Sequence, residues 1–148
     1  MADTRVQLQV EDWVRKEWMP QHYGMKFRRE RVSLSSGGVF DFDAVSDDDS
    51  IVATISTSGA TTASGKHAVG KLLKIRSDMF FLLLVKAQRR IVVLTEPDMY
   101  DLCLKEQQGG RVPSSIEFVL AAIPDHLAGK LKESRRSASQ EVSPTRRS

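Results

Sequence analysis

The chain has 148 residues, 41% apolar and 28% charged, which suits one globular domain with its own hydrophobic core. The last fifteen residues hold four Arg and one Glu and so account for the whole net charge of +3. The rest of the chain is neutral, and a basic patch on it would require its positive and negative side chains to lie on different parts of the surface. A single cysteine, Cys103, excludes an internal disulfide. The first residues lack an apolar secretory segment, and no apolar run approaches the ~20 residues of a membrane helix. We therefore expect a cytoplasmic protein without membrane partners.

The first part of the chain predicts one helix and three strands. A mostly apolar stripe at helical spacing predicts an amphipathic helix that ends near Pro20, and its members are Val10, Trp13, Val14, Glu17 and Trp18. Three extended segments follow at residues 25–34, 39–46 and 51–57, separated by turns rich in Ser, Gly and Asp. In the second segment, alternation predicts Phe40, Phe42 and Ala44 on one face and Val39, Asp41, Asp43 and Val45 on the other.

The second part predicts a long helix at residues 65–85. Its inner stripe, interrupted by Arg76, consists of Val69, Leu72, Leu73, Met79, Phe80 and Leu83. The apolar run at 90–95 predicts a central strand, and a short helix at 97–107 and a last strand at 116–123 follow. We expect a domain at residues 1–130 and a disordered, basic, Ser- and Arg-rich tail at residues 131–148.

The most specific motif covers two adjacent strands. Residues 37–46 read GGVFDFDAVS and residues 51–58 read IVATISTS. With the order helix, three strands, helix, strand, helix, strand over residues 10–123, the chain resembles the restriction-endonuclease-like (PD-(D/E)xK) superfamily. The resemblance implies an α/β fold with a central mixed sheet flanked by helices. Segments 25–34, 39–46 and 51–57 would form an antiparallel meander, and 90–95 would lie inside the sheet.

The resemblance also implies a site, at which this chain departs from the superfamily. Active members carry an Asp on the second strand and Glu (or Asp)-x-Lys on the third. Their two carboxylates converge on Mg²⁺, and the Lys lies beside the metal-bound water. Asp43 matches the Asp, whereas Thr54 and Ser56 stand at the Glu and Lys positions. Neutral hydroxyls bring no charge for a cation and no base for water. The motif therefore favours a protein without nuclease activity. A Mg²⁺ cofactor is expected only if the chain is an active nuclease.

A rearranged site is the alternative. Asp41 and Asp43 would share a strand face and could both bind a metal, while Lys66, Lys71 and Lys74 on one flank of the long helix could replace the missing Lys or bind nucleic acid. The simpler interpretation is that the two aspartates end a strand beside the acidic turn, and that the lysines form a solvated helix face.

Three functions remain open on the sequence. The chain is an inactive nuclease-like module that binds nucleic acid or protein, a metal-dependent nuclease with a rearranged site, or a structural or scaffolding protein. Candidate partners are DNA, RNA, another protein or a second copy in a homodimer. Arg76, inside an apolar stripe, is predicted to pair with Asp43, Asp41 or Glu17, or else to reach solvent along the helix edge.

Overall fold

The computed structural model describes residues 4–61 and 67–141, and for residues 137–141 it describes the backbone alone. Five strands form one sheet in the order β1-β2-β3-β4-β5. Their bounds are Phe27–Ser33 (β1), Val39–Ser46 (β2), Ile51–Ser56 (β3), Arg89–Leu94 (β4) and Ile116–Leu120 (β5). The first three strands form an antiparallel meander, and β3, β4 and β5 are parallel. The predicted α/β fold with a central mixed sheet is confirmed.

Helices cover both faces of this sheet. The N-terminal helix comprises α1 (Arg5–Trp13), a π-helical turn (Val14–Trp18) and α2 (Met19–Tyr23), and the later helices are α3 (Val69–Leu83), α4 (Pro97–Gln108) and α5 (Asp125–Glu141). The two parallel crossovers step in the same direction along the sheet, so right-handed connections place α3 and α4 on one face. The N-terminal helix and α5 cover the other. Among the described residues, no helix is long and apolar enough to cross a membrane.

Two apolar layers hold the helices on the sheet. The layer under α3 and α4 contains Phe42, Ile75, Leu82 and Met99, among others. The opposite layer contains Val10, Val14, Ala53, Leu127 and Leu131. Strand β4 contributes to both, with Val92 and Leu94 in the first layer and Ile91 and Val93 in the second. Its predicted place inside the sheet is confirmed, because a continuous apolar run suits burial on two faces.

The N-terminal helix continues past Pro20, where the sequence predicts its end. The Met19 N–H donates to the Val14 carbonyl, one residue further back than in a regular α-helix. A wide turn at this point fits the proline, because a proline ring collides with the preceding turn of a regular helix. The helix then ends at Gly24, whose φ of 76° is a left-handed conformation that glycine adopts without steric cost.

The buried face of α3 differs from the predicted inner stripe. Four residues are buried, namely Ile75, Asp78, Met79 and Leu82. Four positions of the predicted stripe are exposed instead, namely Val69, Leu73, Phe80 and Leu83. The prediction holds for Met79, which is buried, and for Leu72, which packs against the core. Apolar residues occur on more than one side of this helix, and packing on the sheet selects the side that contains Ile75, Met79 and Leu82. The helix also starts at Val69 rather than near residue 65, and residues 62–66 lie outside the described part.

Helix α5 contains residues for which the sequence predicts disorder. Leu127 and Leu131, one turn apart, are buried against the sheet. Further along, Arg135 donates to the Thr57 carbonyl at 3.0 Å and pairs with Glu96 at 2.7 Å. Two leucines are too short a stripe to indicate a helix, which explains the difference. The expected disorder therefore does not hold for residues 131–141, and residues 142–148 lie outside the described part of the chain.

Candidate functional site

Strand β2 contains one residue more than β1 over the same stretch. Arg28 pairs with Val45 and Glu30 with Phe42, so two steps along β1 match three along β2. This is a β-bulge, and Asp43 lies within it. Phe42 and Val45 consequently both belong to the layer under α3. The predicted alternation placed them on opposite faces and is wrong, because the extra residue reverses it.

Strands β2 and β3 stop pairing at one end, and we call this point the fork. Asp43 lies at the fork. The last paired residues on this side are Ala44 and Ala53. Beyond them, the Asp43 carboxylate accepts a hydrogen bond from the Ile55 main-chain N–H at 2.8 Å. A side chain thus takes the place of a strand carbonyl. It lies in the gap between the strands, where it is close to charged groups on both faces of the sheet.

On the N-terminal-helix side of the fork, Arg15 and Glu11 contact Asp43. Arg15 is only 8% exposed; its guanidinium donates to the Asp43 carbonyl at 3.0 Å and to Glu11 at 3.3 Å, and it also contacts Asp12. The pKa of Glu11 is raised from 4.5 to about 7, first by burial and then by the Asp43 carboxylate and a hydrogen bond with it, while Arg15 and Arg29 lower it. Glu11 therefore exchanges a proton near neutral pH, in direct contact with Asp43.

The two hydroxyls of β3 lie on the α3 side of the sheet. Ala53 and Ile55 belong to the opposite layer, so alternation turns Thr54 and Ser56 towards α3. Thr54 is 3% exposed, and Ser56 is half-buried. The Ser56 hydroxyl accepts the Ser58 N–H at 3.3 Å. These positions bring hydrogen-bonding groups to the fork and no charge.

An ion pair within α3 is the charged group on this side. Asp78 is buried and accepts two hydrogen bonds from the Lys74 ammonium, at 2.8 and 3.0 Å. Burial raises the pKa of the Asp78 carboxyl and Asp43 adds to the rise, while Lys74 opposes it. Lys74 is thereby engaged with its own helix. Lys71 is exposed near the start of α3, and Lys66 lies outside the described residues.

Asp41 has a partner of its own, apart from the fork. It is exposed on β2 and accepts a hydrogen bond from the Arg31 Nε at 3.1 Å. That hydrogen bond lowers the pKa of Asp41 below its ordinary value. The two carboxylates considered as joint metal ligands are thus bound to different groups, Asp41 to Arg31 and Asp43 to Ile55.

Arg76 pairs with Glu106 of α4. The predicted pairing with Asp43, Asp41 or Glu17 is wrong, because Arg76 lies on the outer side of α3, away from the sheet and beside α4.

Sequence reasoning missed three charged residues at the fork: Glu11, Arg15 and Asp78. The sequence did contain a sign of these residues, because Glu11–Arg15 and Lys74–Asp78 are both spaced i, i+4 on a helix, the spacing of helical ion pairs. Such pairs are usually solvated. Their burial follows from the docking of both helices on the sheet, which spacing does not show.

The side chains at the fork do not fit Mg²⁺, the metal that the resemblance implies. This ion takes several oxygen ligands in octahedral geometry. One Asp43 oxygen accepts the Ile55 amide, and the Arg15 cation lies against Glu11 on the same side. Within residues 4–61 and 67–141, no three His, Cys, Asp or Glu side chains are grouped to hold a metal ion. The chemistry open to these residues is proton sharing between two carboxyls and hydrogen bonding to strand amides.

Comparisons with protein-family models, with curated proteins and with solved structures found no match to this chain.

Proposed function

We propose that this chain is a nuclease-like domain without hydrolytic activity, and that it acts as a binding module for a protein. The observation that carries the proposal is an apolar surface on α3. Val69, Leu73, Phe80 and Leu83 are 61%, 53%, 58% and 43% exposed, and we call these four residues the α3 ridge. Aligned large apolar side chains on a surface mark interaction sites more often than chance exposure does.

The absence of hydrolysis follows from the chemistry of the fork. A phosphodiesterase of the resembled type needs carboxylates that hold a metal and a base beside its water. Here Thr54 and Ser56 supply neither. Glu11, whose carboxyl pKa is raised to about 7, is hydrogen-bonded to Asp43 and contacted by Arg15. These contacts hold the N-terminal helix to the sheet, which gives the fork a structural role.

A protein partner is favoured over nucleic acid because many cations of the described surface are already paired. Carboxylates lie within ion-pair distance of Arg28, Arg31, Lys74, Arg76, Arg89 and Arg135. A polyanion would have to compete with these carboxylates. The α3 ridge offers its partner an uncharged contact instead.

A photo-crosslinking phenylalanine analogue placed at position 80 in living cells tests the proposal. The matched control carries the analogue in place of Leu8, which is 51% exposed on the N-terminal helix. We expect a discrete protein adduct from position 80 that survives nuclease digestion and is missing from the control. Equal adducts at both positions, none at position 80, or an adduct removed by nuclease would contradict a protein-binding role.

A further inference from the structure

We infer that the partner protein docks on the α3 ridge with an amphipathic helix whose apolar face is bordered by acidic side chains. The inference rests on the proposed function and adds the chemistry of the partner. It comes from the spacing of the ridge residues and from the charges beside them.

The spacing of the ridge suits a helical partner. Val69, Leu73, Phe80 and Leu83 recur at intervals of four, seven and three residues, so they form a row along one side of α3. Two helices that pack side by side need such a row of large side chains over several turns. Other side chains of α3 already hold this helix on the sheet, and the ridge remains exposed.

The exposed charges along α3 are all positive. In the range 69–86, the exposed charged side chains are Lys71, Lys74, Arg76 and Lys86. Asp78, the acidic residue of this range, is buried and bound to Lys74. Beyond Asp98 at its start, α4 adds one exposed charge of each sign, Asp101 and Lys105. The surface beside the ridge therefore has an excess of positive charge.

The charge is least balanced where two arginines share one carboxylate. Arg76 lies on α3 between Leu73 and Phe80 of the ridge. It pairs with Glu106 of α4, and Arg111, whose side chain is 75% exposed, lies 3.6 Å from the other oxygen of that carboxylate. Two positive charges thus face one negative charge. An acidic side chain of the partner would neutralise the second cation without displacing Glu106.

These charges favour a protein over an anionic membrane. Lipid headgroups would lie against Asp101 and Glu106 as well as against the arginines, and would be repelled by them. A protein can place each carboxylate opposite a cation, which is how charges on two protein surfaces become complementary.

The partner peptide attached at position 80 tests this chemistry. After photolysis in living cells, the adduct of the crosslinking phenylalanine analogue is digested, and the attached peptide is sequenced by mass spectrometry. We expect apolar residues that recur every three or four positions, with Asp or Glu beside them. An attached peptide without acidic residues, or one from a second copy of this chain, overturns the inference.

A synthetic peptide of that segment, titrated onto the full chain, then tests the cations. Arg111→Glu should weaken binding about tenfold, because the new carboxylate repels the acidic side chain that the arginine attracts. Lys132→Glu is the matched control, since it changes the net charge equally at an exposed position of α5, on the opposite face of the sheet. Its Kd should stay within about twofold of the wild-type value, because salt screens a distant charge. Circular dichroism checks the fold, and Arg111→Gln replaces the variant if it unfolds.

The outcomes separate this inference from the function on which it rests. If a protein is crosslinked but Arg111→Glu binds its peptide as the wild type does, or weakens no more than Lys132→Glu, the binding function stands and the inference fails. If position 80 gives no protein adduct, both fail. Both also fail if the full chain sediments with phosphatidylserine vesicles and Phe80→Asp abolishes this, because the ridge is then a membrane contact.

Discussion

Replacing Glu11 by glutamine should remove a loss of stability that the wild type suffers as the pH rises. The pKa of Glu11 is raised from 4.5 to about 7 in the folded protein, mainly by burial. The folded state therefore prefers the protonated carboxyl. Its contribution to stability is fully present below pH 4.5, where the unfolded chain is also protonated, and is lost as the pH rises through about 7.

The magnitude follows from the size of the shift. The Glu11 side chain is 17% exposed, so solvent screening is limited. At about 1.4 kcal/mol for each pKa unit, the free energy of unfolding should fall by at most about 3.5 kcal/mol across the titration. Glutamine keeps the size and hydrogen bonding of a protonated glutamate and cannot ionise. The variant should thus match the wild type at acid pH and exceed it at alkaline pH.

Urea denaturation between about pH 4 and about pH 8 measures this difference. We expect the two proteins to agree within about 0.5 kcal/mol at the acid end, and the glutamine variant to be more stable by about 2 to 3 kcal/mol at the other. Glu17→Gln, an exposed position on the same helix, is the control and should show a flat difference. If the difference between wild type and Glu11→Gln does not change with pH, the burial argument for Glu11 is refuted.

Three further predictions concern other parts of the structure. Asp43→Ala should destabilise by about 1 to 2 kcal/mol, because the Ile55 N–H loses its acceptor, whereas Asp43→Asn keeps an acceptor and should cost less, as thermal melts will show. Neither the wild type nor Asp43→Ala should cleave plasmid or single-stranded DNA with Mg²⁺ or Mn²⁺, and metal-dependent cleavage that Asp43→Ala abolishes would disprove this. Burial raises the pKa of Cys103 to about 11, so iodoacetamide should alkylate it at pH 8 only after unfolding, and mass spectrometry with and without urea will check this.

The sheet could be predicted from the sequence because each strand carried a local signal. The predicted segments 39–46 and 51–57 correspond to β2 and β3 within one residue, and 90–95 to β4 shifted by one. Alternation, β-branched residues and turn residues favour strands and turns through neighbours a few positions apart, so the sequence alone shows them. The order of the strands followed from short turns between the first three and a helix before the fourth.

The site could be predicted only in part, because its contacts join distant segments. Asp43 was identified from its motif, but its acceptance of the Ile55 amide depends on an extra residue that no composition rule indicates. Glu11 and Arg15 reach the fork because the N-terminal helix docks there. The inner side of α3 was predicted only in part, at Leu72 and Met79, for a related reason: apolar residues occur on more than one side of the helix, and only the assembled sheet decides between them.

The bulge divides β2 into two halves with opposite parity. On one side of it, even-numbered residues such as Phe40 and Phe42 face α3, and Phe40 stacks on Phe81 with ring centroids 4.3 Å apart. On the other side, the odd-numbered Val45 faces the same way. Deleting one of the two residues between Phe42 and Val45 would leave these side chains two positions apart, which a regular strand also places on one face, and β1 would pair with β2 without a bulge. The extra residue is therefore not needed to keep the hairpin end facing α3, and its effect is local, at the place where Asp43 meets the Ile55 amide.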